Sequence, residues 1–138
     1  MTKSRSFSDN CIYQKTTLRN GMRVLTEKIP SVRSVSLGVW VDVGSRNEPT
    51  QRNGISHLIE HMVFKGTKKR SAKQIASSLE SLGGGLNAFT SREHTCFTAR
   101  FLDEHLDSAV DVLADLTCNA KLTPTNFKRE KLVICEEI

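Results

Sequence analysis

Five consecutive residues, His57-Leu58-Ile59-Glu60-His61, set two imidazoles and a carboxylate inside a segment patterned as an amphipathic helix. At 100° per residue, His57 and His61 lie about 40° apart and Glu60 about 60° to the other side of His57. The apolar Ile55, Leu58, Ile59, Met62 and Val63 fall on the opposite face. One side can pack into a core while the other presents two metal ligands and a base. Ring nitrogens one turn apart can converge on one ion at roughly 2.0–2.1 Å. Zinc suits imidazole with carboxylate, and a catalytic zinc normally has three protein ligands and an open water position. Glu60 neighbours His61 and can reach that water rather than the metal, taking its proton during attack and passing it to a leaving amine. The competing reading is a solvated histidine pair on a helix face, and a third ligand would weigh against it. The order His-x-x-Glu-His inverts the commoner His-Glu-x-x-His.

The best candidate for that ligand lies near residue 138. From Thr123-Pro124 the sequence predicts a helix, with Thr123 as N-cap and Pro124 at the first helical position. Phe127, Glu130, Ile134, Glu137 and Ile138 share one broad face, so two glutamates are interleaved with apolar residues. A buried unpaired carboxylate costs several kcal/mol, so such groups usually meet a cation or a metal. Glu137 is the natural third ligand and Glu130 an electrostatic or orienting partner. Spacing leaves open that Glu136 points at the site instead, or that both are surface charges.

The elements that must position these residues read as ββ-β-α-α-ββ-α-α. Residues 12–18 and 22–29 flank Arg19-Asn20-Gly21, a strong hairpin signal. Val35, Leu37, Val39, Val41 and Val43 alternate with Ser36, Gly38, Trp40 and Asp42, which predicts a half-buried strand. Gly44 to Asn53 reads as a polar loop leading to the His57 helix. Ser71 with Gln74 forms a capping box opening a helix of roughly twelve residues, ended by Gly83-Gly84-Gly85. Strands follow near 86–90 and 94–101. A helix from Asp103 to about Cys118 is expected to bury Leu106, Ala109, Val110, Leu113 and Leu116. The fold class expected is α+β, with helices on one face of a largely antiparallel sheet.

At 138 residues the chain is expected to form a single domain, with residues 1–12 frayed. Its hydrophobic content of 38% suits a globular protein, and no apolar run approaches the ~20 residues of a membrane span. The start is polar and basic without an apolar stretch, unlike a secretory signal. Cys11, Cys96, Cys118 and Cys135 show no Cys-x-x-Cys spacing and are expected as free buried thiols in a reducing compartment, cytoplasmic or, alternatively, the mitochondrial matrix. The net charge of +5 is spread out. Its one dense cluster, Lys65 with Lys68-Lys69-Arg70, reads as a solvated loop, and no aromatics interleave with it, so nucleic-acid binding is not expected. His94 and His105 are expected to be structural or surface groups rather than ligands.

Several motifs occur together in order: His57 to Thr67, Gly83-Gly84-Gly85-Leu86-Asn87-Ala88-Phe89-Thr90, and Glu130 to Ile138. With Leu18 to Val24 and Gly38 to Glu48, they resemble the N-terminal catalytic domain of the pitrilysin/insulinase metallopeptidases, the inverzincin family. The resemblance is nearest to the branch containing the mitochondrial processing peptidase β subunit and its bacterial relatives, and runs from about residue 13 to the last residue. It implies Zn2+ held by His57, His61 and Glu137, Glu60 as general base, and Glu130 as an auxiliary catalytic glutamate. It also implies that Asn87, Ala88 and Phe89 lie on an edge strand against which an extended peptide or unfolded-protein substrate is laid. An open strand edge does offer unpaired N–H and C=O groups for such pairing. Asn87 could equally be a turn or cap residue. Family enzymes are much longer, with a second half that closes a chamber and supplies an Arg-Tyr pair absent here. A second chain or domain is therefore expected as partner, and the chain reads as truncated relative to the family. The alternatives to an active endopeptidase are a non-catalytic homologue and a remnant that binds zinc or peptide without cleaving.

Overall fold

Asn20-Gly21 turns the chain back on itself. Strands β1 (Ile12–Thr17) and β2 (Arg23–Lys28) pair antiparallel, from Ile12↔Lys28 to Thr17↔Arg23. Leu18 N–H donates to the Met22 carbonyl at 2.8 Å, and Met22 N–H to the Asn20 side-chain oxygen at 3.1 Å, the self-bonding that favours Asn in turns. The computed structural model describes residues 12–81 and 83–137, without the Leu79 side chain. Cys11, Ile138 and all of the expected frayed start except Ile12 lie outside these residues. One compact unit ends at Arg33, and a second begins at Ser34.

The second unit is built on an antiparallel sheet of β3 (Ser34–Val41), β4 (Gly85–Thr90) and β5 (Thr95–Leu102), in the order β3-β5-β4. Register places Val35, Leu37 and Val39 opposite Phe101, Ala99 and Phe97, while Leu86 and Ala88 oppose Ala99 and Phe97. These residues line one face. Against them pack Val63 of α1 (Ile55–Val63), Ile75 of α2 (Ala72–Glu80), and Ala109, Leu113 and Leu116 of α3 (Leu106–Asn119). The last helix, α4 (Pro124–Glu137), lies against α1. The α+β class and the order of elements are those the patterns predict, although α2 is nine residues long rather than about twelve. Both expected caps form. Ser71 N–H reaches Gln74 Oε1 at 2.8 Å while Gln74 N–H reaches Ser71 Oγ at 3.3 Å, and Asn126 N–H bonds Thr123 Oγ1 at 3.3 Å.

Burial differs from the sequence patterns in several places, beginning with β3, which ends at Val41 and leaves Val41 and Val43 exposed. In α1, Met62 and Val63 are buried but Ile55 and Ile59 are exposed, because the apolar stripe is wider than the surface the described residues lay against it. In α3, Leu106 and Val110 are exposed while Val112 and Asp115 are buried. The buried arc is displaced toward Asp115 because the segment after α1 covers that side. There the Thr67 hydroxyl donates to Asp115 at 2.6 Å, Arg70 Nη1 donates at 2.7 Å, and Asn119 donates at 3.1 Å. Arg70 also pairs with Asp111. The expected solvated basic loop is thus only partly so: Arg70 is half-buried between two aspartates, and Lys65 meets the buried Glu130. In α4, Phe127 is exposed although Glu130 and Ile134 on its stripe are buried. Among the described cysteines only Cys96 is buried; Cys118 and Cys135 are exposed.

The Thr67 hydroxyl holds the Asp115 carboxyl below the usual carboxylate range against the opposing effect of burial, with Arg70 and Asn119 adding to it. Hydrogen bonding from Arg70 does the same for Asp111. A carboxyl depressed in the folded state contributes stability that is complete above its unfolded value near 3.9 and is lost as pH falls through the folded value. Melting temperatures measured across a pH series should therefore fall below about pH 4, and the fall should be shallower in Asp115→Asn. Identical profiles for the two chains would refute the role given to this network.

Candidate metal centre

The helix that carries the motif starts from an acid supplied at a distance. Glu48 accepts the Gly54 N–H at 2.7 Å and the Ser56 N–H at 2.8 Å, satisfying two of the donors that a helix N-terminus leaves open. Burial pushes this carboxyl up, but the Ser56 and Gly54 amides and the Ser56 hydroxyl outweigh it, leaving it below the ordinary value. The segment carrying Glu48 is itself fixed to the β4–β5 turn. Ser45 and Arg46 N–H bond the carbonyls of Ser91 and Arg92 at 3.1 and 2.8 Å. Gly44 is required for that approach, since a Cβ there would lie 2.4 Å from the Ser91 oxygen.

On α1 the two imidazoles stand edge to face with centroids 4.7 Å apart. Glu137 arrives from α4, its Oε2 3.5 Å from His57 Nε2 and 3.6 Å from His61 Nε2. One ligand atom from each residue falls within a 4.8 Å span. A tetrahedral site with bonds of about 2.1 Å has ligand-to-ligand edges of about 3.4 Å, so the donor types and spacing fit zinc. His57 and Glu137 are partly open to solvent, which leaves access for water and substrate. Glu136 is exposed and lies outside this cluster.

Glu130 sits one layer back. Its side chain is 3% exposed, and its Oε2 lies 3.3 Å from His61 Nδ1. A histidine that donates one ring N–H to a carboxylate presents the other nitrogen, here Nε2, to a metal. Glu60 is held from the strand side, where the Thr90 hydroxyl donates to its Oε2 at 2.5 Å. Clefts open on either side of Glu60 along β4. One is lined by Glu60, His61, Phe64, Lys65, Leu86, Asn87 and Ala88. The other is lined by His57, Glu60, Ala88, Phe89, Thr90 and nearby Ser45 and Ser91. Among the described residues β4 has a strand partner on one edge only. The Asn87 side-chain oxygen accepts the Ala88 N–H at 2.9 Å, so its amide is engaged locally, and the Phe89 ring packs edge-on against Trp40.

The remaining histidines stand apart from this cluster. His94 lies in the turn before β5, 3.6 Å from Asp42, and His105 is 3.6 Å from Glu104. Sequence reasoning missed Glu48, Thr90 and Lys65. Glu48 acts six and eight residues before the amides it caps, beyond the reach of local capping patterns. Thr90 and Lys65 carry no signal until their partners are placed.

The family model described as "Insulinase (Peptidase family M16)" matches residues 23–138, and the chain belongs to that family. Relatives include the "uncharacterized zinc protease YmxG" of Bacillus subtilis, 50% identical over 91% of this chain and 31% of that protein. A probable mitochondrial-processing peptidase subunit beta of Arabidopsis thaliana is 46% identical over 89% of this chain and 23% of its own length. Among solved structures, a protease from Helicobacter pylori superposes with a TM-score of 0.87 at 30% identity, over 93% of this chain and 31% of that one. Pitrilysin gives 0.83 at 35% identity, over 97% and 14%. The chain thus spans a third or less of these relatives. Zinc is the cofactor that the family and the relatives' names support.

Removing the Glu48 carboxylate should leave two amides at the start of the helix that carries the histidine motif without partners. Glu48→Ala is expected to lower stability by about 1–2 kcal/mol in chemical denaturation, with Glu48→Gln retaining part of it. Equal stabilities for all three chains would show that the cap is idle.

Proposed function

We propose that this chain is the zinc-holding portion of a metalloendopeptidase that hydrolyses extended peptides, with His57, His61 and Glu137 as ligands and Glu60 as general base. The observation that carries the reading is the meeting of these three donors beside a carboxylate that Thr90 anchors at the rim of a strand paired on one edge among the described residues. When bound, zinc would polarise the scissile carbonyl and lower the pKa of a coordinated water. A substrate added along β4 would be held by main-chain hydrogen bonds, with Asn87, Ala88 and Phe89 at the contact strand and a cleft to each side of Glu60. Glu60 would accept the proton of the attacking water and return it to the amine as the C–N bond breaks. Its Oε2 is occupied by Thr90, which leaves Oε1 for the proton. Glu130 would keep His61 in the ligating tautomer.

The limited span of the chain within its relatives favours a further domain or chain that completes the chamber. Among the described residues no helix is long and apolar enough to cross a membrane. A cytoplasmic setting goes with this reading, and the mitochondrial matrix is its alternative, given the bacterial and mitochondrial relatives.

The test is hydrolysis of a quenched-fluorescent unstructured peptide alongside zinc titration. Glu60→Gln should bind zinc as the parent chain does yet lose turnover by about 10²–10⁴-fold; undiminished turnover would sink the base assignment. Glu137→Gln should bind zinc more weakly, and unchanged affinity would redirect attention to Glu136. A chain that binds zinc and peptide but never cleaves would favour the remnant reading.

A further inference from the structure

Resting on the reading of His57, His61 and Glu137 as zinc ligands, we propose that Lys65 is a positioning residue of the metal centre. Its ammonium holds the buried Glu130 as the acceptor that fixes His61 with Nε2 turned to the ion. A single carboxylate oxygen, Glu130 Oε2, is shared by two donors: Lys65 Nζ at 3.0 Å and His61 Nδ1 at 3.3 Å. A carboxylate this deeply enclosed carries a large desolvation penalty unless a cation offsets it. His61 cannot be that cation, because a histidine that binds metal is neutral. Among the described residues, Lys65 is then the permanent positive charge within ion-pair distance of Glu130.

The lysine is held in place rather than merely nearby. It follows His61 by four residues, and its N–H bonds the Met62 carbonyl at 3.1 Å as α1 ends. The next residues are pinned in turn. Gly66, at φ +125°, pairs with Ser71, and its carbonyl accepts the Lys121 N–H at 2.8 Å. Thr67 pairs with Ala120 and donates to the buried Asp115. Core contacts on α3 thereby fix the backbone from which Lys65 reaches Glu130. Lys65 also lines the cleft beside His61 and Asn87, with 35% of its side chain exposed, so a role in contacting substrate is the rival account.

The two accounts separate on zinc affinity and on the His61 tautomer, which substrate contact would not move. Zinc binding by Lys65→Met, measured by competition with a chromophoric chelator, should weaken about 10–100-fold, with Lys65→Arg close to the parent. In a Glu130→Gln background, Lys65→Met should add little, because it acts through Glu130. Long-range 15N–1H spectra of the metal-free chain, recorded at alkaline pH with the imidazoles neutral, should place the His61 proton on Nδ1 in the parent and lose that preference in Lys65→Met. Parental affinity and tautomer in Lys65→Met, or additive losses in the double variant, would overturn the proposal. A parent chain that binds no zinc would overturn the ligand reading instead, and the tautomer spectra would still decide the Lys65–Glu130–His61 link. If thermal melts show that Lys65→Met does not fold, Lys65→Gln, which keeps a donor without the charge, is read in its place.

Discussion

The Glu130 carboxylate is where two helices far apart in sequence become one site. It lies buried on α4 with its acceptor oxygen between a histidine in the last turn of α1 and a lysine two residues beyond that helix. A charge in that position is costly unless both partners are in place, so the packing of α4 on α1 and the charge arrangement require each other. Glu137, two turns further along α4, is delivered to His57 and His61 by the same docking. A shift of α4 by one residue would break the Glu130 pairings and carry Glu137 away from the imidazoles together.

A second set of contacts fixes the helix to the strand beside it. The Gly44 approach to the β4–β5 turn, the Glu48 cap on α1 and the Thr90 bond to Glu60 form one closed path between the strand edge and the motif. The candidate base is thereby registered against the strand that would carry a substrate. The third support lies behind the site, where Thr67 and Arg70 converge on Asp115 and tie the segment after α1 to α3. Such networks are stable because each buried polar group finds a partner, and among the described residues no buried side-chain nitrogen or oxygen lacks one.

Much of this was legible in the chain itself. Asn20-Gly21, the alternation through β3, the Ser71–Gln74 box and Thr123-Pro124 are local signals, and each marks an element that forms. The patterns erred where burial depended on a distant partner. Val110 was expected in the core, yet it is exposed, and Asp115 is buried instead where Thr67 and Arg70 cover that side of α3. Lys65 and Arg70 looked like parts of one solvated cluster, yet they reach different buried acids.

By itself the sequence determined the donor types, their spacing on one helix turn and the fold class, because helical and strand periodicities are properties of neighbouring residues. It also placed Glu130 and Glu137 on a common face of a second helix. Only the tertiary structure decided that Glu137 rather than Glu136 meets the imidazoles, that Glu130 takes His61 Nδ1, and that Thr90, Glu48 and Lys65 belong to the same arrangement. The reason is geometric. Ligation and charge pairing are set by a few ångströms between side chains on different elements, and those distances exist only after the helices and the sheet have packed.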